Sequence, residues 1–302
     1  MASPKTAKLF LMDGSPKGRI KCSFGNWVGK VYLIPRTEIT RSRGRSELAQ
    51  TGIYLLFGTE AETGEQQVYV GQARERKNGN GVLGRVIEHL AEEKFGYFTH
   101  AVMIIDSDNN FGPTEISYLE NAFYLLALKA GRFRVINSNV PSPGNVTEEM
   151  QADLEQFISY SKILIGTLGY RVFDPVDEAK NDTETNLEVP SPNAEPLLYL
   201  DSVGASGTGR QTTDGFVVLA GAKLRATVAP SVPKAALKNR KLFADRINSN
   251  LELTRDTLFS SPSAASDFLI GASTSGQQKW KNSDGVSLRD LERDEARAAT
   301  EG

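Results

Sequence analysis

Gly52-Ile53-Tyr54-Leu55-Leu56-Phe57 and, after a polar stretch, Gln67-Val68-Tyr69-Val70-Gly71 decide how this chain is read. Aliphatic and aromatic residues dominate both, so each reads as a strand. Between them, residues 58–66 hold two glycines and several glutamates, the composition of an exposed connection. The pair is therefore a hairpin. Downstream, a charged, glycine-broken loop over 74–81 leads to a helix over 83–92 and a third strand over 97–105. Asp106-Ser107-Asp108-Asn109-Asn110 closes that strand. Thr114 reads as the cap of a second helix, with Ile116, Leu119, Phe123, Leu126 and Ala127 on its inner face and Gly131 as its stop. A short strand over 133–136 follows. Thr147 then caps a third helix, whose stripe is Met150, Leu154, Phe157, Ile158, Ser161, Leu164 and Ile165.

Toward the N-terminus, residues 8–34 read as short strands turning at Asp13-Gly14, with 28–34 the most strand-like and Pro35 its end. Residues 36–50 are polar and fit a short helix or a linker. Toward the C-terminus, residues 174–193 are acidic, poor in large apolar side chains and closed by Pro190-Ser191-Pro192, as a flexible linker would be. Beyond it, 196–200, 215–219 and 223–228 read as strands and 233–247 as helix. A helix starts at Ser261-Pro262 and stops at Gly271, Asp284-Gly285 is a turn, and 287–299 is a terminal helix. Gly204-Ala205-Ser206-Gly207-Thr208-Gly209-Arg210 lacks the lysine and setting of a phosphate-binding loop and reads as a plain loop.

The 302 residues suffice for two domains, and 39% hydrophobic with 24% charged residues is ordinary for a globular protein. No apolar run approaches the ~20 residues that span a bilayer, and the first residues do not resemble a secretory signal. Cys22 is the single cysteine, which excludes an internal disulfide and a cysteine zinc site. These features favour the cytoplasm, with no membrane and no organic cofactor. Net charge is −2, yet the first fifty residues are basic and 148–195 acidic, so a local phosphate-binding patch is compatible with the total.

Arg85 and His89 stand four apart in the first helix and share a side. Arginine matches phosphate geometry and keeps its charge; histidine titrates near neutrality and can move a proton. Glu120, on the second helix, is a carboxylate beside an apolar stripe and calls for a cation. Mg²⁺ accepts a single carboxylate when water and phosphate complete its shell. Tyr54 and Tyr69 lie on paired strands and could project to one place. Singly, each tyrosine is an ordinary core residue and Arg85 an ordinary surface residue; the ordered set is what speaks for phosphodiester hydrolysis.

That set resembles the GIY-YIG nuclease superfamily. Gly52-Ile53-Tyr54 matches the first tripeptide, and Tyr69-Val70-Gly71 the second with valine for isoleucine. Arg85, His89 and Glu120 (in Tyr118-Leu119-Glu120-Asn121) follow in order. Asn137 resembles the closing asparagine, with Asn139 a competitor. The likeness covers 51–139 and departs in one respect: the gap between the tripeptides is long, which we assign to a longer hairpin loop. It implies a small mixed sheet flanked by helices and a one-metal cut of DNA. Tyr54 would be or assist the base, supported by Tyr69 and His89. Arg85 would steady the phosphate, and Glu120 would hold Mg²⁺ (or Mn²⁺). Gly71, Arg74, Arg76 and Asn137 are expected beside the substrate.

From about Leu197 the chain resembles an uncharacterised domain often joined to such nucleases, on Asp214-Gly215-Phe216-Val217-Val218-Leu219, the run from Phe259 through Ala265, Trp280 and Asp284-Gly285. Phe216, Phe259, Phe268 and Trp280 read as its core, and His100 as structural. The expected fold class is α/β (α+β), a small mixed sheet flanked by helices with a second small α+β domain. The expected division is a basic β-rich segment over 1–50, the nuclease-like domain over 51–140, a helical connector over 141–173, the acidic linker over 174–195 and the C-terminal domain over 196–302. The leading function is a metal-dependent DNA endonuclease. The rivals are a nucleic-acid-binding module without catalysis and a protein-interaction adaptor.

Overall fold

The protein is described by a computed structural model covering residues 4–60, 64–75, 81–176, 196–212 and 214–301, with side chains to 294. The chain divides into two compact units, Met1–Pro175 and Val176–Gly302. Each mixes helix and strand, so the α+β class expected from the sequence holds. None of the described helices is long and apolar enough to cross a membrane.

The first unit is built on seven strands: β1 (Ala7–Leu11), β2 (Ile20–Phe24), β3 (Gly29–Pro35), β4 (Gly52–Thr59), β5 (Gln66–Ala73), β6 (Phe98–Asp106) and β7 (Arg134–Val135). Their order is β1-β2-β3-β6-β4-β5-β7. Neighbours run antiparallel except β5 and β7, which are parallel. Helix α1 (Val82–Leu90) covers one face; α2 (Pro113–Ala130) and α3 (Glu148–Thr167) cover the other. Strand alternation divides β4 between two cores. Ile53, Leu55 and Phe57 pack with α2 and α3, while Tyr54 and Leu56 pack with α1. Both faces being covered, β4 reads as an unbroken apolar run rather than an alternating one.

The long gap between the tripeptides leaves the hairpin intact. Pairing runs from Gly52 opposite Ala73 to Thr59 opposite Gln66 without a shift, and Tyr54 lies opposite Gly71. The N-terminal segment extends the same sheet through β3 against β6, and Trp27 packs on Phe157 of α3 with ring centroids 4.9 Å apart.

Several local expectations change. Residues 36–50 form neither one helix nor an open linker but three consecutive 3-10 turns, Arg36–Glu38, Thr40–Gly44 and Ser46–Ala49. Ile39 and Leu48 anchor them in the α1-side core. Thr114 does not cap α2; Gly112 does, and Pro113 takes the first helical position, where its missing N–H costs nothing. Gly131 ends α2 in the left-handed conformation at φ 65°. Thr147 caps α3, its Oγ1 accepting from Met150 N, but the Met150 side chain is exposed at the helix start while the other six stripe residues are buried.

The second unit carries an antiparallel sheet of β8 (Leu198–Ser202), β9 (Ala205–Thr212), β10 (Gly215–Val218) and β11 (Thr257–Phe259), in the order β11-β10-β9-β8. With it come α4 (Lys234–Leu242), α5 (Pro262–Ile270), the single turn α6 (Gly276–Lys279) and α7 (Leu288–Glu301). The glycine-rich run read as a loop is largely strand β9. Its glycines make room for packing: a Cβ on Gly209 would lie 2.6 Å from the Phe216 ring, and one on Gly207 2.9 Å from Ala222. Conversely, 223–228 is no strand; Lys223 makes isolated bridges to Ser206 and Glu252. The helix expected over 233–247 breaks at Phe243 into α4 and a 3-10 turn, Ala244–Arg246. Phe216, Phe259, Phe268 and Trp280 form the core as expected, and Trp280 Nε1 donates to Pro262 O at 3.0 Å. Ser261 caps α5, its Oγ accepting from Ala264 N at 3.1 Å. Most of the expected acidic linker, 177–195, lies outside the described residues.

Candidate active site

Four of the five expected side chains meet on the α1 face. Tyr54 points from β4 toward α1 because of its strand parity, and its cross-strand neighbour Gly71 leaves the space its ring occupies. A Cβ on Gly71 would sit 2.4 Å from the Tyr54 hydroxyl. The Tyr54 hydroxyl lies 2.7 Å from His89 Nε2. Tyr69 stacks beside Tyr54 at 6.1 Å between centroids and meets the His89 ring edge-on at 5.9 Å. Phe95 closes this cluster, 4.1 Å from the His89 ring and 4.9 Å from that of Tyr69.

His89 Nδ1 lies 2.7 Å from Glu92 Oε1. A carboxylate only accepts, so the proton resides on Nδ1 and Nε2 is the acceptor of the Tyr54 O–H. Burial lowers the His89 pKa; Glu92 opposes this, and Arg85 adds to it. The imidazole is therefore neutral near pH 7 and able to take the phenolic proton. The Tyr54 phenol is pushed far up by burial, then by Tyr69, with the Arg85 guanidinium pulling it back. A phenol so placed is no free phenolate; it can act only by passing its proton on as it takes another. Tyr69 is raised too, by burial and then by the charge of Glu120.

Arg85 is half-exposed, and its Nη1 pairs with Glu88 Oε2 at 2.7 Å, which raises its pKa. Glu120 arrives differently from the rest. Its helix packs on the opposite face of the sheet, and its Oε2 accepts from Gln72 Nε2 at 3.0 Å. Gln72 has the strand parity of Val68 and Val70, on that same α2 side. β7 pairs with β5 only at Gln67 and Val68, so at Gln72, the partner of Glu120, β5 is paired with β4 and open on its β7 edge among the described residues. Its charge nonetheless raises both Tyr54 and Tyr69. Burial raises the Glu120 pKa, and the Gln72 amide counters it.

The remaining expected residues divide. Asn137 spends its side chain on the sheet edge, accepting from Val70 N at 3.1 Å and donating to Val70 O at 2.7 Å. It satisfies the backbone where β7 ends. Asn139 is exposed. Arg74 is exposed and reaches Pro113 O at 3.4 Å. Arg76 lies outside the described residues. His100 sits beside Tyr170 at the far end of β6, away from the α1 cluster, in the structural role expected.

Sequence reading missed Glu92, Gln72 and Phe95. Glu92 had a signal, three residues after His89 at a helix end. Gln72 had none beyond its place after Gly71.

A divalent cation suits the oxygen donors present. Glu120 is a half-buried carboxylate, and Gln72 Oε1 is a buried oxygen without a hydrogen-bond partner among the described residues. The amide is oriented by its bond to Glu120, so that orphaned oxygen is not removed by a flip while Glu120 is charged. No group of three His, Cys, Asp or Glu suited to a metal occurs among the described residues; Mg²⁺ commonly keeps waters and substrate oxygens instead.

Gly71→Ala tests the packing of this site without removing a reactive group. The added methyl must displace the Tyr54 hydroxyl, and a misplacement of about 1 Å can cost ~10²-fold in rate. We expect turnover of any substrate handled at this site to fall at least tenfold with little change in KM, measured by steady-state kinetics.

Residues 198–292 match a family described as a domain of unknown function, DUF4357. This is the C-terminal segment that resembled an uncharacterised domain, and the description carries no activity. No nuclease family matches residues 51–139. No curated protein and no solved structure matches the chain.

Proposed function

We propose that this protein is a divalent-metal-dependent endonuclease that hydrolyses phosphodiester bonds in DNA. The observation that carries this reading is the chain Tyr54 hydroxyl, His89 Nε2, His89 Nδ1, Glu92, with both links at 2.7 Å. A carboxylate–imidazole–phenol chain satisfies the buried Tyr54 hydroxyl and His89 ring, and the same three groups in series can carry a proton from the phenol to the imidazole, with Glu92 at its exposed end. Water would give a proton to the Tyr54 oxygen as Tyr54 gives its own to His89, and Glu92 would stabilise the imidazolium. The hydroxide would attack phosphorus and expel the 3′ or 5′ oxygen of the cleaved strand, which would take its proton from solvent, as the imidazolium of His89 would lose its own through Tyr54 to solvent. Arg85 would turn from Glu88 to the phosphate oxygens, where its fixed charge favours the transition state. Glu120 and Gln72 would hold the cation, which would supply positive charge to offset that of the leaving oxygen.

The test is an electrophoretic cleavage assay of the purified protein with supercoiled DNA, linear duplex and RNA, with Mg²⁺, Mn²⁺ or chelator. Nicking that needs the metal is the expected result. Binding without cleavage under every metal would favour a catalytically silent nucleic-acid-binding module.

A further inference from the structure

Arg43 and Arg45 project from the 3-10 turns beside α1 and line a cavity of about 410 Å³ together with Ala49, Gly84, Ile87 and Glu88. Neighbouring basic residues are neutralised: Arg41 pairs with Glu38 at 3.2 Å and Lys21 with Glu47 at 3.0 Å. Arg43 and Arg45 have no ion pair among the described residues. Glu88 is the acidic group in the lining, and it is engaged by Arg85.

Gly84 is a second anomaly. It occupies the third position of a nine-residue helix, where glycine is a poorer helix former than alanine. At 100° per residue, Leu83 and Ile87 face the cavity flank, Arg85 and His89 the catalytic flank, and Gly84 and Glu88 lie between. Gly84 thus keeps the helix surface low on the path from Arg85 to Arg43 and Arg45. Glycine at such a place is what close approach of another backbone requires.

We propose that the outer face of α1, from Arg85 across Gly84 to the Arg43 and Arg45 cavity, seats the sugar–phosphate backbone of duplex DNA, with the two arginines holding a phosphate away from the one that is cut. The N-terminal turns then serve as a clamp on the substrate. Guanidinium forks suit phosphate oxygens and read no sequence, so the contact sets affinity and register. The inference rests on the nuclease reading for its cut phosphate, though not for its binding surface.

The experiment is fluorescence anisotropy of a labelled DNA duplex with the full-length protein in chelator, across a range of salt. Arg43→Gln/Arg45→Gln is expected to weaken binding about tenfold or more at 0.1 M salt. It should also flatten the slope of log K against log salt by ~0.9 for each phosphate that the variant no longer neutralises. Gly84→Ala is expected to raise the melting temperature and yet weaken binding several-fold, a combination that no folding defect produces. Unchanged affinity and slope in the double variant would overturn the inference. So would calorimetry in which inorganic phosphate binds the wild type and not the double variant while duplex affinity is unchanged. A wild-type protein that binds through these arginines but never cuts would remove the nuclease reading and leave this surface standing.

Discussion

Tyr54→Phe is expected to lower kcat for DNA nicking by about 10²- to 10⁴-fold, the range that loss of a positioned acid–base group produces, while duplex affinity stays within a few-fold. In the proposed reaction the hydroxyl would link the attacking water to His89 Nε2, 2.7 Å away. Phenylalanine keeps the ring packing against Tyr69 and Gly71 and deletes that link together with the hydroxyl's hydrogen bonds to Arg85 and Tyr69. It also leaves Nε2 of a buried histidine unsatisfied, at a cost of about 1–3 kcal/mol, so the comparison belongs at a temperature where circular dichroism shows both proteins folded.

The pH profile supplies a second readout. His89 must be neutral to accept, and burial holds its pKa below the ordinary 6.5. Activity should therefore persist below pH 6.5 and fall as pH drops through the lowered value, where Nε2 becomes a donor. Stability follows the same sign. It is full above the unfolded value and declines below it, because the unfolded chain takes up the proton first. A Tyr54→Phe protein that cuts at the wild-type rate would sink the relay.

Glu120→Gln is expected to abolish metal-dependent cleavage. A cation at a leaving oxygen contributes several kcal/mol to the transition state, and at ~1.4 kcal/mol per tenfold its loss lowers kcat ~10²-fold or more. Mn²⁺ binding measured by calorimetry or paramagnetic resonance should weaken in parallel. The fold should not suffer, since the variant replaces a half-buried carboxylate, penalised by desolvation, with a neutral isostere. A third signal needs no metal. Glu120 is the second cause of the raised Tyr69 pKa, so ultraviolet titration should show a phenol ionising at lower pH in the variant. Undiminished Mn²⁺ affinity would refute the metal role of Glu120, the residue that approaches from the other face of the sheet.

Much of the first unit was legible in the order of residues. The hairpin followed from two apolar runs and their glycines, and the long gap did not disturb its register because insertions at a hairpin tip leave the ladder untouched. Helix stops at Gly131 and Gly271 were legible because each glycine adopts the left-handed conformation that ends a helix. The 3-10 turns over 36–49 and the strand over Gly207 and Gly209 were not legible. Local polarity and glycine content argued for open chain there, and burial of Ile39, Leu48 and Phe216 decided otherwise.

The amino-acid order alone determined the hairpin, the helices α1, α2 and α3 and the placing of Arg85 and His89 on one side of one helix, because these depend on spacing along a few residues. Whether Tyr54 reaches His89, that Glu92 meets His89 Nδ1, and that Glu120 comes from the far layer beside Gln72 were decided only by tertiary packing. Those contacts join residues up to 48 positions apart, and no local period carries the distance between two layers of a sheet.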